Sequence, residues 1–317
     1  MKLARFPERG ETLLGTGYRV DHGGKGSNQA IGCARLGARV TLIARVGADS
    51  FGQSAMELYE REGVETTCIQ QVLELPTGVG FILMQPDTGE NRIVVDPGAN
   101  NRLTRQMVLE SEQAFASAQV VLAQLEIPIE AANAAMEIGR AQGAVTILNP
   151  APAHPLPPET LEKVSVVTPN ETEARVMLGH DPHAAIPPEN LAREILAGGA
   201  KQVVLTLGGQ GALIVTEFSE THVPSVDVPV VDTTGAGDAF NAGLAVALAN
   251  GSELESAVRF AVIAGALAVT KEGVTPSLPY RADVLTYFQR NGLALPRWFR
   301  ASSRPSRWQQ NQKPSDF

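Results

Sequence analysis

The feature that most constrains the fold is an alternation along the chain. Short β-branched runs bounded by turn residues recur at 39–46 (RVTLIARV), 120–125 (VVLAQL), 144–148 (AVTIL), 164–168 (VSVVT) and 202–207 (QVVLTL). Segments with helical spacing lie between them, for example 129–142 and 189–196. A strand that reads as an unbroken apolar run is one covered on both faces, so the pattern predicts βαβ units and a mostly parallel sheet. Further on, Phe240, Leu244, Ala247 and Leu248 recur at helical intervals, and 254–270 continues in the same way.

One segment breaks the alternation. Residues 77–95 read as two strands, 78–84 and 91–95, joined by the turn Pro86-Asp87-Thr88-Gly89-Glu90. Such a hairpin does not join a parallel sheet easily. It is expected to project as a small antiparallel flap, with 11–20 supplying a further strand. A flap over the carboxyl ends of the strands would exclude water from a site there.

Bulk properties exclude several classes. The 317 residues suffice for one large domain or two modest ones. With 26 Lys plus Arg against 34 Asp plus Glu, the formal net charge is −8, which argues against nucleic-acid binding by bulk charge. No apolar run is long enough to span a membrane. The start, Met1 to Pro7, has no apolar signal core, so a cytoplasmic protein is expected. Cys33 and Cys68 cannot form a disulfide framework or a metal site by spacing. The pair in His180-Asp181-Pro182-His183 reads as surface loop. No strand is expected before Arg5. From Asn291 the chain turns basic and polar, with Arg297, Arg300, Arg304, Arg307 and Lys313 against Asp316, and with both tryptophans, Trp298 and Trp308. Residues 291–317 are expected to be a disordered basic tail.

The strongest chemical signal is Asp232-Thr233-Thr234-Gly235-Ala236-Gly237-Asp238-Ala239-Phe240, running into an amphipathic helix. Small residues at 235–237 let the backbone approach a ligand, and N–H groups at a helix start form an anion site for phosphate oxygens. Asp238 falls in the first helical turn beside that site, where it suits a base that deprotonates an attacking hydroxyl. The simpler alternative is a carboxylate that only stabilises the helix dipole.

A second glycine-rich segment, Gly23-Gly24-Lys25-Gly26-Ser27-Asn28, also leads into a helix. It is not a P-loop, because Arg19 and Gly26 stand where that motif needs Gly and Ser or Thr. Lys25 and Asn28 can donate to the hydroxyls of a small polar ligand; the alternative is a glycine turn with an exposed lysine. Glu126 ends one apolar run, and Thr168-Pro169-Asn170-Glu171-Thr172-Glu173 follows another, so both point toward the crevice of an open α/β sheet. Asn170 and Glu173 could hold a hydrated Mg²⁺ beside phosphates, or could simply cap a helix. Thr206-Leu207-Gly208-Gly209-Gln210-Gly211 joins two strand-like runs and suits either a nucleotide contact or a plain hairpin turn.

Together, Gly23-Gly24-Lys25-Gly26-Ser27-Asn28-Gln29-Ala30 and Asp232-Thr233-Thr234-Gly235-Ala236-Gly237-Asp238 resemble the two signatures of the ribokinase (PfkB-type) sugar kinase family. Gln124-Leu125-Glu126, Asn149-Pro150-Ala151-Pro152-Ala153 and Thr168 to Glu173 are similar to the same family, and the likeness runs from about Phe6 to Arg290. The resemblance implies an α/β, three-layer ribokinase-like sandwich with a mostly parallel central sheet and a small β-sheet lid. It divides the chain into a discontinuous lid at 1–20 and 73–97, a core at 21–72 and 98–290, and the tail.

The implied activity is ATP-dependent phosphorylation of the terminal hydroxyl of D-ribose, giving ribose 5-phosphate and ADP. Deoxyribose or another small sugar, or binding without catalysis, are the alternatives. The resemblance makes Asp238 the base and Gly235, Ala236 and Gly237 the anion hole. It gives the sugar to Gly24, Lys25, Asn28 and Glu126, and ATP to Asn170, Thr206, Gly208, Gly209, Gly211 and Gly237. Glu173 would order Mg²⁺ through water. Activating K⁺ would lie at Asp232, Thr234, Ala268, Lys271, Gly273 and Ser277, several through carbonyls. Lids would clasp each other across a homodimer. One departure is evident: family members open with a core strand ending in a Gly-Ser-x-Asn-x-Asp segment whose aspartate binds sugar, and the present match begins at the lead-in to Pro7-Glu8-Arg9-Gly10-Glu11-Thr12.

Overall fold

The computed structural model describes residues 1–301 except 86, 88 and 89. The strands are β1 (Val40–Thr41), β2 (Ala44–Gly47), β3 (Val64–Glu65), β4 (Ile69–Val72), β5 (Val79–Met84), β6 (Asn91–Asp96), β7 (Val120–Ala123), β8 (Val145–Leu148), β9 (Val166–Val167), β10 (Gln202–Thr206), β11 (Ala212–Thr216) and β12 (Glu220–Val223). The helices are α1 (Lys25–Arg35), α2 (Ser50–Arg61), α3 (Arg105–Glu110), α4 (Ile129–Ala141), α5 (Pro158–Leu161), α6 (Glu171–Met177), α7 (Pro188–Ala197), α8 (Ala236–Ala249), α9 (Leu254–Ala268), α10 (Arg281–Arg290) and α11 (Arg297–Ala301).

Six strands form the central sheet in the order β12-β11-β10-β9-β8-β7. From β7 to β10 the pairing is parallel, as the buried apolar runs require. β10, β11 and β12 pair antiparallel, because the 206–211 segment is a hairpin turn closed by Leu207 N–H on the Gly211 carbonyl at 2.8 Å. Gly211 has φ 97° there, and a Cβ on it would lie 2.1 Å from the Val223 carbonyl oxygen. Only glycine fits.

Side chains alternate across the sheet. Ile147, Val166, Val204 and Ile214 share one apolar cluster with α8, α9 and α10. Leu148, Val167, Val203, Leu205, Leu213 and Val215 share another with α4, α5, α6 and α7. This is the three-layer sandwich, and each fully buried aliphatic side chain stabilises it by roughly 1.5–3 kcal/mol. Gly139 of α4 marks a close helix–sheet contact, since a Cβ there would meet Val121 Cγ2 at 2.6 Å.

Several expectations need correction. The run at 39–46 is two strands, because β1 pairs with β3 and β2 with β4, and the partner chain turns between them where Ile69 N–H meets the Thr66 carbonyl at 2.9 Å. Residues 11–20 add no ladder to the hairpin; Gly17 makes a bridge to Lys2, and Lys2 in turn bridges Met84. So the β5–β6 hairpin is extended by residues before Arg5, where no strand was expected. Of its turn, 86, 88 and 89 lie outside the described residues. The tail begins with order: α11 docks Trp298 and Phe299 on Phe260, with ring centroids at 5.1 and 5.7 Å, and Arg281 lies over the Phe299 ring at 3.8 Å. Two aromatic rings supply the buried area that the flanking basic residues lack. Arg304, Arg307, Trp308, Lys313 and Asp316 lie outside the described residues. The 180–183 segment is a surface loop, with His180 Nε2 2.9 Å from Glu194.

Candidate active site

Two helix starts meet in one cleft. α1 begins after Gly24 (φ 90°) and α8 after Gly235 (φ 84°), both in the region that favours glycine. A Cβ on Gly235 would also lie 2.9 Å from Val274 Cγ1. The helices can converge because a Cβ on Gly32 would sit only 2.8 Å from that of Ala242.

Asp238, in the first turn of α8, is buried and accepts hydrogen bonds from Asn28 Nδ2 at 2.8 Å and Gln29 Nε2 at 2.9 Å. Burial pushes its carboxyl above the usual aspartate range, while Gln29, Lys25 and Asn28 pull the other way. The chain of contacts continues. Gln29 Nε2 also reaches Asn149 Oδ1 at 3.0 Å, and Gln124 Nε2 donates to Gln29 Oε1. Asn149 Nδ2 donates to the Thr168 carbonyl at 3.1 Å, Thr168 Oγ1 to Asn241 Oδ1 at 2.6 Å, and Asn241 Nδ2 to the Gly237 carbonyl at 2.8 Å. A buried network of this kind fixes Asp238 to the ends of β7, β8 and β9. Sequence reasoning gave no role to Gln29, Gln124, Asn149, Thr168 or Asn241. The available signal was a glutamine on an otherwise apolar helix, and polar residues capping apolar strands.

Beside Asp238, the Lys25 N–H donates to Glu126 Oε2 at 2.6 Å. Burial raises the Glu126 carboxyl, opposed by that bond and by the Lys25 charge, and the nearby Asp238 charge adds to the rise. Asn28 Oδ1 is buried with no hydrogen-bond partner. At the start of α8, the Ala236 N–H is directed to the Thr233 carbonyl at 3.3 Å. Of the residues expected to form the anion hole, Gly235 and Gly237 are therefore the ones whose N–H groups have no protein partner among the described residues.

Asn170 and Glu173 form a reciprocal capping box on α6, at 2.8 and 2.9 Å. The capping alternative is thus realised. Even so, Glu173 lies within electrostatic reach of Lys25 and Asp238, with its carboxyl raised first by burial. Asn170 also bridges Thr206, which brings the 206–211 turn to the same end of the sheet. Gly208 and Gly209 have open space where side chains would stand.

On the far side of α8, Asp232 accepts from Thr234 N–H at 2.9 Å and Gly273 N–H at 3.0 Å. Burial pushes its carboxyl up, but those bonds outweigh it and hold the group below its ordinary value. Ser277 Oγ is 3.6 Å from the Cβ position of Gly235, and the Ala268 carbonyl accepts the Lys271 N–H at 3.3 Å. The Lys271 ammonium instead points to Asp283, at 3.5 Å.

A buried carboxylate beside free N–H donors at a helix start, at the carboxyl end of a parallel sheet, can take a proton from a hydroxyl while the donors stabilise phosphoryl charge. Fold and site together define a phosphotransferase that acts on an alcohol group.

The comparisons agree. The model of the pfkB family carbohydrate kinases matches residues 1–281. A ribokinase of Haemophilus influenzae is 37% identical over 287 residues, covering 90% of this chain and 92% of the relative. A deoxyribokinase of Salmonella typhi is 33% identical over 288 residues, with 90% and 94% covered. The structure of Arabidopsis thaliana ribokinase complexed with ribose and ATP superposes with a TM-score of 0.83 at 31% identity, covering 90% of this chain and 93% of that one. The chain belongs to the pfkB family of carbohydrate kinases.

Proposed function

We propose that this kinase transfers the γ-phosphoryl group of ATP to the terminal hydroxyl of D-ribose, giving ribose 5-phosphate and ADP. The observation that carries the reading is Asp238, buried and held by Asn28 and Gln29, with the unpartnered Asn28 Oδ1 next to it. The sugar lies against Gly24, Lys25, Asn28 and Glu126, with Asn28 Oδ1 accepting from one hydroxyl. Asp238 takes the proton of the terminal hydroxyl as its oxygen attacks the γ-phosphorus. The bond from that phosphorus to the bridging oxygen breaks, and its electron pair leaves on ADP. The N–H groups of Gly235 and Gly237 hold the charge on the transferring group. Asn170, Thr206, Gly208, Gly209 and Gly211 receive the nucleotide.

Among the described residues no three acidic, His or Cys groups converge on a metal. Mg²⁺ therefore fits best on the nucleotide phosphates, with Glu173 reached through water, where it neutralises phosphate charge. The oxygen-only set at Asp232, Thr234, Ala268, Lys271, Gly273 and Ser277, largely carbonyls, has the chemistry of a K⁺ site. The exposed Phe81, Ile82, Ile93, Val94 and Val95 of the β5–β6 hairpin support its reading as a lid that pairs with that of a second copy. No helix among the described residues is long and apolar enough to cross a membrane.

The test is ADP release with ATP, Mg²⁺ and D-ribose, with and without K⁺. Ribose-dependent turnover is expected. The deoxyribokinase relative favours one further reading, decided by kcat/KM for ribose against deoxyribose. Saturable ATP binding with no sugar-dependent ADP release would replace both with a binding protein.

A further inference from the structure

Arg35 carries a buried charge that the proposed reaction does not use. It ends α1, and Glu62 follows the last turn of α2; their side chains are only 7% and 10% exposed. Arg35 Nε and Nη2 donate to the two Glu62 carboxylate oxygens at 2.9 and 2.7 Å, and the guanidinium lies over the Tyr280 ring at 4.3 Å. Taking such a pair out of water costs about as much as the pairing returns, so apolar side chains would join α1 to α2 equally well. What they could not do is donate. Arg35 Nη1 donates to the Thr275 carbonyl at 2.6 Å and to the Leu278 carbonyl at 3.0 Å.

The segment that Arg35 grips backs the start of α8. Val274 Cγ1 is 2.9 Å, and Ser277 Oγ 3.6 Å, from the Cβ position of Gly235. Gly273 N–H donates to Asp232 at 3.0 Å, and Thr275 Oγ1 donates to the His22 carbonyl, in the loop before α1, at 3.2 Å. Thr275, Ser277 and Leu278 are buried. Residues 273–278 therefore form a wedge between α1 and the turn that carries the Gly235 N–H. α1 is tied at both ends: Asn28 and Gln29 hold Asp238 near its start, and Arg35 holds the wedge at its finish. The helix between them is about 15 Å long.

We infer, on the kinase reading above, that Arg35 is a positioning residue for phosphoryl transfer, clamping 273–278 so that the Gly235 N–H keeps its aim. The planar fork is what allows this. One guanidinium meets a carboxylate along one edge and two carbonyls along another, whereas a lysine ammonium is a single point of charge. Loosening the segment displaces a backbone donor and not a side chain that holds substrate. A donor that works on developing charge is felt in kcat more than in ground-state binding.

The test is Arg35→Lys in the full chain, with Leu191→Ala, a buried residue of α7 in the other apolar cluster of the sheet, as the control for lost stability. Arg35→Lys should lower kcat about ten- to a hundredfold, with KM for ribose and ATP within about threefold. Amide hydrogen exchange at Gly273 and Ser277 should speed up about tenfold or more relative to the rest of the chain. Leu191→Ala should leave kcat near the parental value and speed exchange without singling out those two amides. Glu62→Gln keeps the fork and removes its charged partner; it should move kcat and exchange in the same direction by less, and it carries the test if Arg35→Lys does not fold. Parental kcat in Arg35→Lys, or exchange raised evenly along the chain as in the control, would overturn the inference. A parental chain that turns over no sugar would remove the kinase reading instead, and exchange at Gly273 and Ser277 would then decide the clamp by itself.

Discussion

Asn28 Nδ2 lies 2.8 Å from Asp238 Oδ2, although 210 residues separate the two along the chain. That contact ties the first turn of α1 to the first turn of α8. The other end of the same amide, Oδ1, is buried and unpartnered. One side chain therefore holds the Asp238 carboxylate and keeps a spare acceptor beside it.

Replacing Asp238 by asparagine should lower kcat by about 10²–10⁴, the usual contribution of general base catalysis. Nucleotide affinity, read by calorimetry, should stay within about twofold, because the proposed nucleotide contacts do not include that carboxylate. The fold should tolerate the change, since the Asn28 amide can turn its unpartnered oxygen toward the new NH₂ group. Near-parental turnover would remove Asp238 from the role of base.

The pH dependence follows from burial. Asp238 must be ionised to accept a proton, and burial raises its folded-state value. The acid limb of kcat/KM should therefore fall at a pH above the ordinary aspartate value of about 3.9. Stability linkage has the matching sign. A carboxyl raised by folding contributes stability below its unfolded value, and that contribution is lost as pH rises through the folded value. The melting temperature of Asp238→Asn relative to the parent should accordingly increase from acid to neutral pH.

Gln29→Met tests the supporting network. It removes a hydrogen bond that lowers the Asp238 value, so the acid limb should move further up in pH. It also strips partners from Gln124 and Asn149, which should cost about 1–3 kcal/mol in denaturant unfolding. A stability loss with an unmoved pH profile would make Gln29 purely structural.

Gly235→Ala should strain the start of α8, by about 1–3 kcal/mol for a non-glycine residue at φ 84°, before the contact with Val274 is counted. If the Gly235 N–H holds the transferring group as proposed, kcat should fall more than the KM for sugar rises. Steady-state kinetics in both substrates separates the two.

Phe299→Ala should act on stability alone. Removing a buried ring that touches Phe260 and Arg281 should cost about 3–5 kcal/mol, while turnover per folded molecule stays at the parental level.

How much of this was legible in the sequence depended on range. The apolar runs of β7, β8 and β10 and the period of α4, α7 and α9 are local signals, and the structure follows them. The glycines before α1 and α8 carried their own reason, a backbone conformation that other residues avoid. The division of 39–46 was not legible, because it depends on a turn in a partner strand over twenty residues away in the chain. Nor was the role of Gln29, whose three partners come from three other elements. The Trp298–Phe299 pair was hidden by its basic neighbours, since composition averages over a segment and packing does not. Asn170 and Glu173 show the reverse: the spacing that suggested a ligand site is also that of a capping box, and only geometry separates the two.

The close approach of Gly32 to Ala242 has a consequence for how such a catalyst can change. The gap between the loop before α1 and the loop before α8 is set by a helix spacing two turns below them, at residues that touch no reactant. A single added methyl at position 32 would act as a shim, widening the mouth in which a hydroxyl must meet a phosphorus. Selectivity for the length of the acceptor could thus drift through substitutions at a buried seam, with every residue in the cleft itself left as it is.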